Sequence, residues 1–141
     1  MFRPLQYARS EIDFCDIRLH ARHVVHYCGM HLEAVLRVFL KQNKMFGGLR
    51  YFNSTLGKVA HEISKLKIID NILIEVLFKL VTLFNKAKHE VNMFEERPRL
   101  FSEADAIICY FAARIIGKEI LGKLEYPLSL VTYRVNNQVL N

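Results

Sequence analysis

The sequence predicts an all-α fold, a bundle of four to five helices ending in a short irregular or strand-like C-terminal tail. Apolar residues recur at helical spacing through most of the chain, and helix-start signals stand ahead of these runs. Helix breakers are scarce, with three Pro and six Gly in 141 residues. A hydrophobic share of 52% excludes a disordered, collagenous or mucin-like chain. The length suits one domain over 1–141, with a core at about 10–124 and a tail at 125–141.

The first helix is expected to begin at Ser10-Glu11-Ile12-Asp13, a Ser-x-x-acid start, and to keep its period to about Asn43. Ile17, Ala21, Val24, Cys28, Leu32, Val35 and Phe39 step by four and three, forming one apolar stripe. Such a helix would be about 50 Å long, so Gly29 is read as a bend or a break between two helices. Gly47-Gly48 marks a loop, and Asn53-Ser54 caps a helix from about Thr55 to Lys67, with Leu56, Val59, Ile63 and Leu66 on its apolar side.

Asp70 caps the next helix, Asn71 to about Lys88, whose apolar positions cover more than half its surface and make it the expected central helix. Glu95-Glu96-Arg97-Pro98-Arg99 reads as an exposed charged loop, because Pro98 cannot continue a helix. Ser102-Glu103-Ala104-Asp105 starts a last helix reaching about Leu124. Ile72, Val76, Leu80, Ile107, Phe111 and Ile115 are the expected core positions of these two helices. Leu128 to Val135 alternates Val and Tyr with Ser and Thr, a strand-like pattern with no sheet to join.

A net charge of +6 and a sequence pI near 9.3 favour an anionic partner. From Lys41 to Lys67 the chain holds six Lys/Arg against one Glu, a basic surface that could continue to Lys79, Lys86 and Lys88. Cys15, Cys28 and Cys109 are odd in number and set in apolar stretches, as buried free thiols in a reducing compartment would be. The first residues lack the apolar region of a secretory signal, so a cytoplasmic location is expected. The most apolar segment, Ile68 to Phe84, is interrupted by Asp70, Asn71, Glu75 and Lys79 and does not read as a membrane span.

Several chemistries are unsupported. Gly47-Gly48 lacks the Lys-Ser/Thr of a phosphate loop, and His61-Glu62 lacks a second histidine because position 65 is Lys65. His31-Leu32-Glu33 has no Pro-Cys-x-x-Cys partner. On a helical projection His20, Tyr27 and His31 align beside the apolar stripe, with His23 partly outward and His26 on the polar face. That row offers two metal ligands at most, so it is read as a polar groove; no metal and no cofactor are expected.

The sharper feature is Leu83-Phe84-Asn85-Lys86-Ala87-Lys88-His89-Glu90, where an apolar helix turns polar. Asn85 and His89, four apart, share a helical face. An imidazole with an ordinary pKa near 6.5 suits proton transfer, and adjacent Lys86 and Lys88 attract phosphate while favouring the neutral base. The alternative is a helix C-terminus at which Lys and His complement the macrodipole and Asn breaks the helix.

The order of Ala21-Arg22-His23 through Glu33-Ala34-Val35-Leu36-Arg37, then Leu83 to His89, then Phe101-Ser102-Glu103-Ala104-Asp105-Ala106-Ile107 resembles the HEPN superfamily over about residues 10–124. The resemblance implies a helical bundle that dimerises. It also implies metal-independent ribonuclease activity from an Arg-x(4–6)-His motif facing its twofold copy. His89 matches the motif's histidine and Asn85 its polar position, but Phe84 stands where the arginine belongs. Lys86 or Lys88 would then supply the positive charge without a guanidinium's bidentate fork.

The expectation is therefore an RNA-acting homodimer of a toxin–antitoxin, defence or RNA-processing system. His89 and Asn85 would be catalytic, and Lys86, Lys88 and Lys79 would bind RNA. The alternative is a catalytically silent interaction module, binding a nucleotidyltransferase-like antitoxin or another protein.

Overall fold

The computed structural model describes residues 2–14, 16–44, 54–89 and 101–124. Five helices form among them: α1 (Arg3–Phe14), α2 (Ile17–Gln42), α3 (Leu56–Leu66), α4 (Asn71–His89) and α5 (Glu103–Leu121). No strand occurs among the described residues. The Glu95–Arg99 loop and the strand-like segment from Leu128 to Val135 lie outside them.

The long helix expected from Ser10 to Asn43 is two helices, and their division is not at Gly29. Asp16 adopts an extended backbone, and its carboxylate accepts the Arg18 amide at 3.0 Å while pairing with the Arg18 guanidinium. This cap starts α2 afresh, and the arginine partner and the capping bond hold the Asp16 carboxyl below its ordinary pKa. Gly29 lies inside α2, where it has a different task. A Cβ there would stand 2.0 Å from Cδ2 of Phe84, so only glycine lets the Phe84 ring settle against the α2 backbone.

α1 folds back antiparallel along α2. The Phe2 ring lies 5.9 Å from that of His31, Tyr7 lies 5.5 Å from Tyr27, and Glu11 reaches His20. Rising residue numbers on one helix thus meet falling numbers on the other.

The central helix is α2, not α4, for α2 packs against each of the other four. Its expected stripe is in place: Ala21, Val24, Cys28, Leu32, Val35 and Phe39 are buried, with Ile17 packed at the edge. The buried arc is wider than the expected stripe, since Val25, Leu36 and Leu40 beside it are buried as well. A helix with so broad an apolar arc can pack against several neighbours at once.

α3 is fixed by α2. Glu33 and Arg37 pair at 2.8 Å, and together they receive the chain entering α3. Glu33 Oε2 accepts the Leu56 amide at 2.9 Å, and two guanidinium N–H groups of Arg37 donate to the Ser54 carbonyl, one at 2.8 Å. A carboxylate from another helix thereby serves the open N-terminal amide, while the local cap residue Thr55 makes no side-chain capping bond. Lys67, with φ of 52°, ends the helix in the left-handed region. The expected start signals of the next two helices hold. Asp70 Oδ1 accepts the Ile72 amide at 3.1 Å, and Ser102 with Asp105 forms a reciprocal capping box on α5.

The faces of α4 and α5 depart from expectation. Leu80 is buried and Val76 partly so, but Ile72 is 68% exposed. On α5, Ile107, Phe111 and Ile115 point outward, at 40%, 55% and 51% exposure, and Ile108 joins them at 62%. The side turned inward is Ala106, Cys109, Tyr110, Ala112, Ala113, Ile116, Gly117 and Ile120. Size decides this. A Cβ at Gly117 would come 2.9 Å from Nε2 of His31, so a glycine stands where α5 meets that ring, and Ala106, Ala112 and Ala113 keep the inward side small elsewhere.

Cys28 and Cys109 are both buried free thiols, and burial pushes the Cys109 pKa up to about 12, leaving it protonated. No helix among the described residues is long and apolar enough to cross a membrane.

Candidate functional site

The polar end of α4 remains helical through His89, so the four-residue register between Asn85 and His89 is kept. Asn85, Lys86 and Lys88 are exposed, as is Lys79. Lys79 and Lys86 are seven residues apart and share a helical face, whereas Lys88 leans the other way, its ammonium 4.7 Å from the centre of the Phe84 ring.

Phe84 itself is 1% exposed. The position that the resemblance sets against the motif's arginine is thus a core position in this chain. The ring fills the space above Gly29, and a guanidinium there would be buried away from any phosphate.

A histidine outside the expected set shares this corner. His26, expected on the polar face, is half-buried, and its ring stacks on Phe84 at 5.5 Å with 21° between planes. Burial lowers its pKa, and the positive charges of Lys88 and Arg22 lower it further, with Glu33 opposing them. A neutral imidazole and an ammonium therefore flank one aromatic ring, joining a proton acceptor to an anion-attracting charge. The signal available in the sequence was the pair His26 and Gly29, three apart: whatever packs against a glycine's bare backbone also meets the side chain one turn before it.

The expected groove of His20, Tyr27 and His31 is not open, because α1 occupies it. Phe2 covers His31, which is buried beneath it, and Tyr7 packs on Tyr27. His20 instead meets His23, whose Nδ1 stands 3.4 Å from its own, and Glu11 from α1. Sequence periodicity within α2 could not reveal Glu11, since α1 was not expected to fold back.

Two further surfaces have the residues to bind something. Between α1 and α5 an open groove is lined by Phe2, Leu5, Gln6, Arg9, Tyr110 and Arg114, with the two guanidiniums 6.0 and 5.7 Å from the Tyr110 ring centre. Arg9 is already engaged by Asp13 at 2.8 Å. The other surface is the outer face of α5, where Ile107, Ile108, Phe111 and Ile115 form a continuous apolar row at helical spacing. No family model, curated protein or solved structure matches this chain.

Proposed function

We propose that this chain is a helical interaction module that pairs with a second copy of itself through the outer face of α5. The observation that carries this reading is the exposed apolar row of that helix. Ala104, Ile108, Phe111, Ile115 and Lys118 step by four, three, four and three, the spacing of a seam between two packed helices.

Charge selects an antiparallel copy as the occupant. Glu103 and Asp105 make the N-terminal end of α5 acidic, while Arg114, Lys118 and Lys123 outnumber Glu119 toward its C-terminal end. Two antiparallel copies centred near Phe111 bring Ile108 against Ile115 and the acidic end of each against Lys118 of the other. Such a contact is self-complementary under a twofold axis.

Sedimentation of the full chain tests it. The wild type sediments as a dimer and Phe111→Glu as a folded monomer. Lys118→Glu weakens the dimer at least tenfold, about 1.4 kcal/mol, and Glu103→Lys added to it restores pairing. A wild-type monomer at high micromolar concentration, or a dimer indifferent to Phe111→Glu, overturns the reading in favour of another occupant.

A second reading, RNA binding and metal-independent cleavage at the end of α4, draws on the neutral His26 beside Lys88 and the exposed Asn85 and Lys86. It expects RNA affinity that falls steeply with salt, because each phosphate contact releases counterions. It expects His89→Ala to lower cleavage about 100-fold, with products ending in 2′,3′-cyclic phosphate. Cleavage equal in His89→Ala, or none at any salt, removes the catalytic reading.

A further inference from the structure

We propose that Glu11, His20 and His23 form a binding site for a divalent zinc-class ion that ties α1 to α2. His20 and His23 stand one turn apart on α2, with their Nδ1 atoms 3.4 Å from each other. Glu11 comes from the last turn and a half of α1, with Oε2 3.0 Å from Nδ1 of His20 and Oε1 4.0 Å from Nδ1 of His23. One ligand atom from each residue lies within 4.8 Å of the others.

These separations suit a metal. Ligand atoms about 2.0–2.1 Å from a tetrahedral zinc lie about 3.3–3.4 Å apart; the two imidazole nitrogens already stand at that spacing, and Glu11 brings one oxygen near each of them. Two imidazoles and one carboxylate are a donor set for zinc and its neighbours in the transition series, whereas calcium and magnesium require mostly oxygen.

A second observation is independent of the spacing. Glu11 Oε2 is buried and receives no hydrogen bond, despite its closeness to the His20 ring. A buried carboxylate oxygen without a donor is costly, and a bound cation satisfies it directly. His23 remains half open to solvent, which gives the ion a path in and leaves its fourth position for water.

The site differs from the row of His20, Tyr27 and His31 considered above in the way the third ligand arises. α2 alone supplies two histidines, and the antiparallel return of α1 supplies Glu11. The ion is therefore a crosslink between two helices, and its binding stabilises the docked position of α1.

Calorimetric titration of the tag-free full chain with Zn2+ tests the assignment, alongside thermal unfolding with and without the ion. One Zn2+ per chain is expected, with a raised unfolding midpoint. His20→Ala, His23→Ala and Glu11→Gln should each weaken binding at least tenfold, and Glu11→Gln should abolish the rise in midpoint while leaving the helical circular dichroism unchanged. Absence of stoichiometric binding by the wild type overturns the site. So does binding that Glu11→Gln leaves undiminished, because it would place the ion on the histidines of α2 or on the cysteines without α1.

Discussion

The two faces of α5 are both apolar, yet they differ in the size of their side chains. The inner face is mostly small, with three alanines, Cys109 and Gly117, and only Tyr110, Ile116 and Ile120 are large there; the outer face carries Ile107, Ile108, Phe111 and Ile115. Close helix approach is thus what sorts this sequence, since both faces would satisfy a hydrophobic criterion. The small face accepts the His31 ring of α2 at contact distance, and the large face is left for an occupant of its own.

The sharpest way to break that comparison is to truncate one isoleucine on each face. Ile116 is fully buried, so Ile116→Ala should cost about 2–5 kcal/mol through lost burial and the cavity left behind. Ile115, its immediate neighbour in sequence, should cost less than about 0.5 kcal/mol on Ile115→Ala, measured by urea unfolding at concentrations dilute enough to keep the chain monomeric. At higher concentration the cost of Ile115→Ala relative to the wild type rises, because the variant loses pairing that stabilises the wild type, whereas the cost of Ile116→Ala, whose outer face is intact, stays the same. Equal losses at both positions under dilute conditions would show that the two faces are not distinct.

The same contrast explains what the sequence made legible. The stripe on α2 was readable because it alternates with polar residues such as Arg18, Arg22 and Glu33, so the helical period stands out. Caps at Asp70 and Ser102 were readable because their chemistry is local. The inward side of α5 was not, because Ile107 to Ile116 is apolar nearly all the way round and its period carries little phase; choosing the bulky positions as core then selected the wrong side.

The return of α1 was hidden for another reason. Arg3 to Phe14 has helical residues but a weakly apolar face, and the signal at Ser10 looked like a start when it lies inside a helix that α2's Asp16 cap brings to an end. With α1 unplaced, neither the covering of His31 nor the meeting of Glu11 with His20 and His23 was derivable. At the end of α4, Asn85, Lys86 and Lys88 are as exposed as the sequence implied, whereas His26 enters from a helix whose rotation about Gly29 only the Phe84 packing fixes.

His26 offers the finest test of the distinction between packed and open surfaces, because it sits at their boundary. Burial depresses its folded-state pKa below the ordinary value near 6.5, with Lys88, Arg22 and His23 acting in the same direction and Glu33 against them. The unfolded chain therefore binds more protons than the folded one between those two pKa values, and stability rises with pH across that window. Above about pH 6.5 the His26 contribution is fully intact; it is lost as pH falls through 6.5 and then through the depressed folded value, below which no more is lost. Urea midpoints measured at pH 7.5 and pH 5 should fall more in the wild type than in His26→Gln, and the difference between the two proteins isolates this imidazole from the other histidines. Lys88→Gln should narrow the gap by removing one of the positive charges that lower the His26 pKa, while the His26 stack on Phe84 stays in place. An identical pH response in wild type and His26→Gln would show that the ring titrates as freely as one in water, and would place it on the open surface instead of in the packed corner.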